Sequence, residues 1–271
     1  LVVDDNMVNV KVALNLLKQY DIEAVYALSG NSAIEKLKEG KYDIILLDQM
    51  MPVMDGNETL SRIRNLPAAY CKDVPVICMT SDAGSDLREK LIKSGFQGYL
   101  AKPVNIAKLE TMLKEYLPPE TIKSSPSIKN QAGTVRDSSH AENKTYAPEV
   151  QNVMPGLDIQ RGLTYIGGNE ETYDIILMAY YKEGMEKLGV ISSEYSADGN
   201  IDLFITDMHS IKSSSASIGA NEISAMFKDL ELAGKAGDRR HIEENLPATM
   251  DKFKDLLTVI ERYLKNRNAF E

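Results

Sequence analysis

Through residue 117, short apolar runs alternate with stretches whose apolar residues recur every three to four positions. The runs at 1–4, 23–27, 42–48, 74–80 and 97–101 have the length and composition of strands. The stretches at 6–20, 32–39, 57–64, 85–94 and 106–117 carry the helical period. That alternation predicts βα units around a parallel sheet, a doubly wound five-stranded α/β domain. From 118 to 155 the chain is rich in Pro, Ser, Asn and Lys and has no apolar period, which predicts a flexible linker. A linker of that length spans on the order of 30 Å, so the flanking domains can meet within one chain. Beyond 156 there is no strand pattern. Helical stretches at 158–166, 170–194, 201–218, 222–236 and 239–266 predict an all-α antiparallel bundle. The expected division is therefore 1–117, linker 118–155, and 156–271.

A hydrophobic content of 43% over 271 residues is enough for a core in each of two domains. No purely apolar run, 44–47 among them, comes near the roughly 20 residues of a membrane helix, and no basic-then-apolar segment opens the chain. Cys71 and Cys78 lack a metal-ligand pattern, and two thiols make no disulfide framework, so a cytoplasmic setting is expected. The net charge of −9 is concentrated in the second domain, where 156–271 hold 13 basic and 20 acidic residues against 14 and 16 in 1–117. With no basic stripe, nucleic acid is not an expected partner. The chain starts at Leu1, inside an expected strand, and reads as a piece of something larger. It contains neither a Gly-rich nucleotide box nor a Walker sequence, so ATP binding is not expected.

Ligands of doubly wound sheets bind at the carboxyl ends of the strands. Asp4 and Asp5 close the first expected strand, Asp48 the third and Thr80 the fourth, and Lys102 follows the fifth. Three converging carboxylates favour a hard divalent ion, Mg²⁺ above all. Around it, Asp48 can act as a nucleophile toward phosphorus, Lys102 can neutralise phosphoryl charge, and the Thr80 hydroxyl can bond a phosphoryl oxygen. Alone, the Asp pair, Thr80 and Lys102 would each read as turn, cap or surface residues. Their joint placement argues for a site. Asp55-Gly56 reads as a turn with a helix cap and Cys78 as a buried strand residue.

The motifs Val2-Val3-Asp4-Asp5-Asn6, Leu46-Leu47-Asp48-Gln49-Met50-Met51-Pro52, Met79-Thr80-Ser81 and Tyr99-Leu100-Ala101-Lys102-Pro103 resemble the receiver domains of two-component signalling, which have a flavodoxin-like fold. The resemblance implies that Asp48 is the phosphoacceptor and that Asp4, Asp5 and Asp48, with the Met50 backbone carbonyl, hold Mg²⁺. It also implies that Thr80 and Lys102 contact the phosphoryl group, that Tyr99 reorients when Thr80 engages it, and that Lys102-Pro103 is a cis junction.

In the second domain Phe204, Met208, Ile211, Ser215 and Ile218 form one stripe of a helix, and His209 lies about 140° away from it. His209 is thus expected to point outward among the short neighbours Ser213 and Ala216, with Lys212 one turn on to screen phosphoryl charge. For a lone helical histidine, an exposed polar residue is the commoner outcome. A metal role lacks a second histidine or Glu at helical spacing. The stretch His209-Ser210-Ile211-Lys212-Ser213-Ser214-Ser215-Ala216, with Asp229-Leu230-Glu231-Leu232-Ala233-Gly234 downstream, resembles histidine phosphotransfer (HPt) domains. That implies a four-helix bundle with His209 as phosphoacceptor. Ser213 stands where that family usually has glycine, a small exchange that suits a helix but bears on docking. His140 and His241 are assigned no chemistry.

The joint expectation is a phosphorelay, as in the carboxy-terminal part of a hybrid sensor histidine kinase whose parent protein can be membrane-anchored. Its partners would be a histidine kinase and response regulators, with receiver–HPt contact inside the chain also in reach. The rivals are a non-catalytic docking module with a degenerate HPt domain, and a phosphohydrolase. The second is disfavoured by Met50, where such enzymes would carry another Asp.

Overall fold

The computed structural model describes residues 1–81, 87–118, 154–195 and 200–267. Most of the expected linker, with His140, and the first residues of the helix expected at 85–94 lie outside them. Five parallel strands, β1 (Val2–Val3), β2 (Tyr26–Ala27), β3 (Ile45–Asp48), β4 (Val76–Thr80) and β5 (Gly98–Ala101), form one sheet in the order β2-β1-β3-β4-β5. The strands pair in a register that aligns Val3 with Leu47, Asp48 with Met79 and Thr80 with Ala101. The connection after β1 runs to β2 on one side and that after β3 to β4 on the other, so a crevice opens at the carboxyl ends of β1 and β3.

Helices α1 (Met7–Lys18), α2 (Gly30–Glu39), α3 (Gly56–Arg64), α4 (Tyr70–Asp73), α5 (Leu87–Lys93) and α6 (Ile106–Tyr116) connect and follow the strands. Their starts are written locally. Asn6, Asp55 and Asn105 cap α1, α3 and α6 by accepting the backbone N–H of the third residue on, and Ser29 and Ser32 make a reciprocal capping box on α2. The short α4 was not expected, because four residues carry no legible period. Alternation along the strands divides two cores: Val3, Ile45, Leu47, Val76 and Cys78 pack with α2 and α3, whereas Val2, Leu46, Ile77 and Met79 pack with α1 and α6.

The second region is entirely helical: α7 (Ile159–Tyr165), α8 (Glu170–Glu194), α9 (Ile201–Ser217), α10 (Asn221–Ala236) and α11 (Arg239–Asn266). The four longer helices touch in a closed circuit, α8 on α9, α9 on α10, α10 on α11 and α11 on α8. Phe227 and Phe253 meet edge to face at 5.1 Å, Tyr180 packs on Phe253 at 6.0 Å, and the Tyr180 hydroxyl reaches Ser215 Oγ at 2.7 Å. Left-handed Gly237 (φ 71°) ends α10.

The core on the α1 side does not stop at the sheet. It runs through Val12 and Leu16 into Ile166, Tyr173 and Ile176, and α1 lies against both α8 and α9. Hydrogen bonds from Asn15 Nδ2 (2.6 Å) and Gln19 Nε2 (3.3 Å) to the Ile166 carbonyl tie this seam. Among the described residues no helix is long and apolar enough to cross a membrane.

Candidate functional site

The crevice holds the expected acidic group. Oxygens of Asp4, Asp5 and Asp48 lie within 4.8 Å of one another. Asp4 is anchored by the Asn6 backbone N–H (3.0 Å) and by Asn9 Nδ2 (3.3 Å). Lys102 follows β5 across a cis bond to Pro103, and its ammonium pairs with Asp4 (2.7 Å) and Asp48 (2.8 Å). Thr80 is buried at the end of β4, and half-buried Tyr99 sits beside Cys78 in the sheet against the α2-side core. Met50 follows in the β3–α3 loop, where its thioether accepts a long contact from Lys235 (3.7 Å).

Burial dominates the electrostatics. It raises the carboxyl of Asp48, with Lys102 pulling the other way and Asp4 and Asp5 adding to the rise. Asp5 is raised by burial first and by Asp4 second. For Lys102 burial opposes the charge, but Asp4 and Asp48 outweigh it and hold the ammonium above its ordinary range. A single ammonium does not compensate three desolvated carboxylates, so an all-oxygen set of this geometry fits a hard divalent cation.

His209 lies on α9 and, contrary to expectation, is only 2% exposed. The stripe of Phe204, Met208, Ile211, Ser215 and Ile218 does face the helical core. The opposite face of α9 is covered as well, by the strand-end loops of the first domain. Asn6, after β1, donates to Ser210 Oγ (2.9 Å), and Ser81, after β4, donates to Ser213 Oγ (3.3 Å). Met50, after β3, meets Lys235 from the neighbouring α10. These are the loops that carry Asp4, Asp5, Asp48 and Thr80, and the charge of Lys102 is felt at the imidazole. Ser213 thus supplies a hydroxyl to the seam.

A residue that sequence reasoning missed organises the imidazole. Glu231 of α10 is 2% exposed, and its Oε1 lies 2.8 Å from His209 Nδ1 and 2.6 Å from Lys235 Nζ. Its Oε2 accepts from Lys212 Nζ at 2.6 Å. Lys212 Nζ also approaches Nδ1, at 3.2 Å, but its own short bond is to Glu231; the carboxylate only accepts and is the closer partner of Nδ1, so the proton sits on Nδ1 and the lone pair on Nε2. Nε2 is itself buried, with no hydrogen-bond partner among the described residues. Burial lowers the imidazole pKa and the Glu231 hydrogen bond offsets this in part; the net direction is down, so the ring is neutral near pH 7. Burial alone would raise Glu231, but its bonds to His209 and Lys212 outweigh that and hold it well below the usual carboxylate range. The signal was present: Ile223, Phe227, Leu230 and Gly234 share a buried face of α10, and Glu231 falls on it. His241, by contrast, pairs at the surface with Asp229.

The family model for the response regulator receiver domain matches residues 1–114. Residues 1–114 are a response regulator receiver domain. The chain is 36% identical over 124 residues to the signal transduction histidine-protein kinase BarA of Escherichia coli, a match covering 46% of this chain and 13% of that protein. It is 35% identical over 128 residues to histidine kinase 3 of Arabidopsis thaliana, covering 40% and 12%. The receiver is therefore homologous to those of hybrid histidine kinases, and the chain spans a small part of these relatives' length. Among solved structures it is similar to the Vibrio cholerae chemotaxis protein CheY4 (27% identity, TM-score 0.40, 43% of this chain and 95% of that one). It is also similar to the receiver domain of the Pseudomonas aeruginosa sensor histidine kinase PA1611, described with a magnesium ion coordinated in the active site cleft (31%, 0.39, 42% and 93%).

Proposed function

We propose that this chain is a two-step phosphorelay unit in which a phosphoryl group accepted on Asp48 of the receiver passes to or from His209 of an HPt-type four-helix bundle. The observation that carries the reading is the lone-pair nitrogen of His209, buried without a partner under the loops that hold Asp48 while Nδ1 is anchored by Glu231. In the transfer, Nε2 attacks phosphorus, an N–P bond forms, and the O–P bond to Asp48 breaks. Asp48 leaves as a carboxylate that Lys102 neutralises at 2.8 Å. The negative charge of Glu231 stabilises the imidazole as it loses its lone pair to phosphorus.

Asp4, Asp5 and Asp48, with the Met50 backbone carbonyl, would hold Mg²⁺, which supplies charge neutralisation for the phosphoryl oxygens. Thr80 donates its hydroxyl to a phosphoryl oxygen and Tyr99 follows that movement. Lys212 lies beside His209 to meet phosphoryl charge. The phosphodonor is a histidine kinase, the onward acceptor is another receiver, and the setting is the cytoplasm.

The test is to charge the full chain from acetyl phosphate with Mg²⁺ and compare it with Asp48→Ala and His209→Ala. Acid-labile, alkali-stable label that requires both residues supports the relay. Label confined to an alkali-labile phosphate on Asp48 favours a second reading, in which the helical half is a docking module. The hydroxyl contact between Ser81 and Ser213 is the feature that favours this alternative.

A further inference from the structure

We infer that Glu183, a residue of the helical half, belongs to the cation site of the receiver as an outer carboxylate, so that divalent-ion binding and docking of the two halves form one linked equilibrium. The inference rests on reading Asp4, Asp5 and Asp48 as cation ligands. Glu183 lies midway along α8 and reaches across the seam. Its Oε1 accepts from Asn6 Nδ2, and Asn6 is the residue that directly follows Asp5 and donates its backbone N–H to Asp4. Its Oε2 is buried with no hydrogen-bond partner among the described residues.

Glu183 and Asp5 line the same open cleft of about 650 Å³, with Ser210 beside them and Lys11 and Lys182 along its wall. A hydrated cation can therefore reach the pocket while the halves are docked, and Glu183 can meet its water shell. Lys187, which lines the same cleft, is already paired with Asp207. Lys102 is shared between Asp4 and Asp48. Docking thus brings a fourth carboxylate to three that one ammonium serves. Without a divalent ion that approach is repulsive, and with one bound it is attractive. Linkage makes the effect reciprocal: the factor by which the ion tightens docking is the factor by which docking tightens the ion.

The experiment uses the full chain with one fluorophore on each half, attached at Lys38→Cys and Lys254→Cys, since Cys71 and Cys78 are buried. Energy transfer is followed as MgCl₂ is added at constant ionic strength, and circular dichroism confirms that every variant is folded. Transfer should rise with Mg²⁺ in the parent chain. In Glu183→Gln, which keeps the acceptor for Asn6 and removes the charge, transfer should be high before any Mg²⁺ is added. The Mg²⁺ midpoint of that variant should be weaker by about tenfold, the usual scale of coupling between sites. A parent chain indifferent to Mg²⁺, or a Glu183→Gln response identical to the parent's, overturns the inference. Asp5→Asn separates the two levels. If it abolishes the parent's response while Glu183→Gln does not alter it, the pocket stands as a cation site and the role of Glu183 falls. If the response survives Asp5→Asn, the cation reading of the pocket itself falls.

Discussion

Replacing Glu231 by alanine tests whether the histidine site is an organised nucleophile or merely a buried ring. The carboxylate takes three bonds, from His209 at 2.8 Å and from Lys212 and Lys235 at 2.6 Å each. Lys235 has 37% of its side chain exposed and can turn to water, so its loss counts for little. Lys212 and the Nδ1–H of His209 cannot, and removing one partner from a buried charge pair costs about 3–5 kcal/mol. We take about 3 kcal/mol, which lowers the melting temperature of the helical half by more than about 10 °C. The charge-assisted bond that fixes the tautomer is worth about 1.5–3 kcal/mol, so transfer to His209 should fall about ten- to a hundredfold. Glu231→Gln can still accept from Nδ1 and should keep the tautomer while losing the charge, with a smaller loss of rate. Melting curves, single-turnover transfer from Asp48 and ¹⁵N spectra of the imidazole provide the readouts. A Glu231→Ala chain that melts and transfers like the parent, or a parent imidazole protonated on Nε2, would refute the reasoning.

Four further outcomes follow from the same geometry. The Asn15→Ala/Gln19→Ala pair removes both bonds to the Ile166 carbonyl and should weaken docking by about 1–2 kcal/mol, seen as faster hydrogen exchange along α9 with an unchanged receiver melt. His209 should titrate below its ordinary value of about 6.5. Because the depressed value belongs to the docked form, that share of docking stability is whole above pH 6.5 and fades as acid is added. Glu183, raised to about 8 by burial first, runs the other way, so the titration is best read by NMR in Glu183→Gln. Asp48 has a raised carboxyl pKa, so its share of receiver stability is whole below pH ~4 and is lost as pH rises through the raised value. Asp48→Asn should therefore melt higher than the parent at neutral pH without Mg²⁺, and the gain should vanish when Mg²⁺ is added. Gly56→Ala would place a Cβ 2.4 Å from the Asp48 backbone oxygen, and urea titration should show a loss of about 1–3 kcal/mol together with poorer labelling of Asp48.

Strands, helices and the acidic pocket were legible because each rests on local pattern. Strand-length apolar runs fix β3 and β4, and the polar residues that terminate them meet in one crevice with Asp4 and Asp5. The apolar stripe of α9 was legible by the same logic, and it does face the helical core; it is His209, on the other face, whose surroundings were not. Its exposure was misread because a helical wheel knows one partner: α9 is covered on one face by its own bundle and on the other by the receiver, and a face built of His209, Ser210 and Ser213 carries no apolar mark of being buried. Glu231 was missed for a related reason. It sits 22 residues from His209, on another helix, and only the anomaly of an acid on an apolar face marks it. The seam along α1 rests on Asn6, Asn15 and Gln19, and nothing local to an amide marks a partner that lies in the other half of the chain.

Burial of both reacting groups under one seam has a consequence for how a relay would run. Asp48 and His209 are each only 2% exposed, while the cleft lined by Asp5 and Glu183 beside them stays open. In that docked form Nε2 would be the nucleophile of the proposed transfer, and exchange between the two residues would be unimolecular. The same closure bars a kinase histidine from Asp48 and a second receiver from His209, because both would have to use the face the halves already share. In the proposed relay, loading and unloading would therefore belong to an open form and internal exchange to the docked one. Under the proposed relay, the direction of flow would be set by which residue carries the phosphoryl group when the chain closes, and the proposed role of Glu183 would put that closure under the control of a divalent ion.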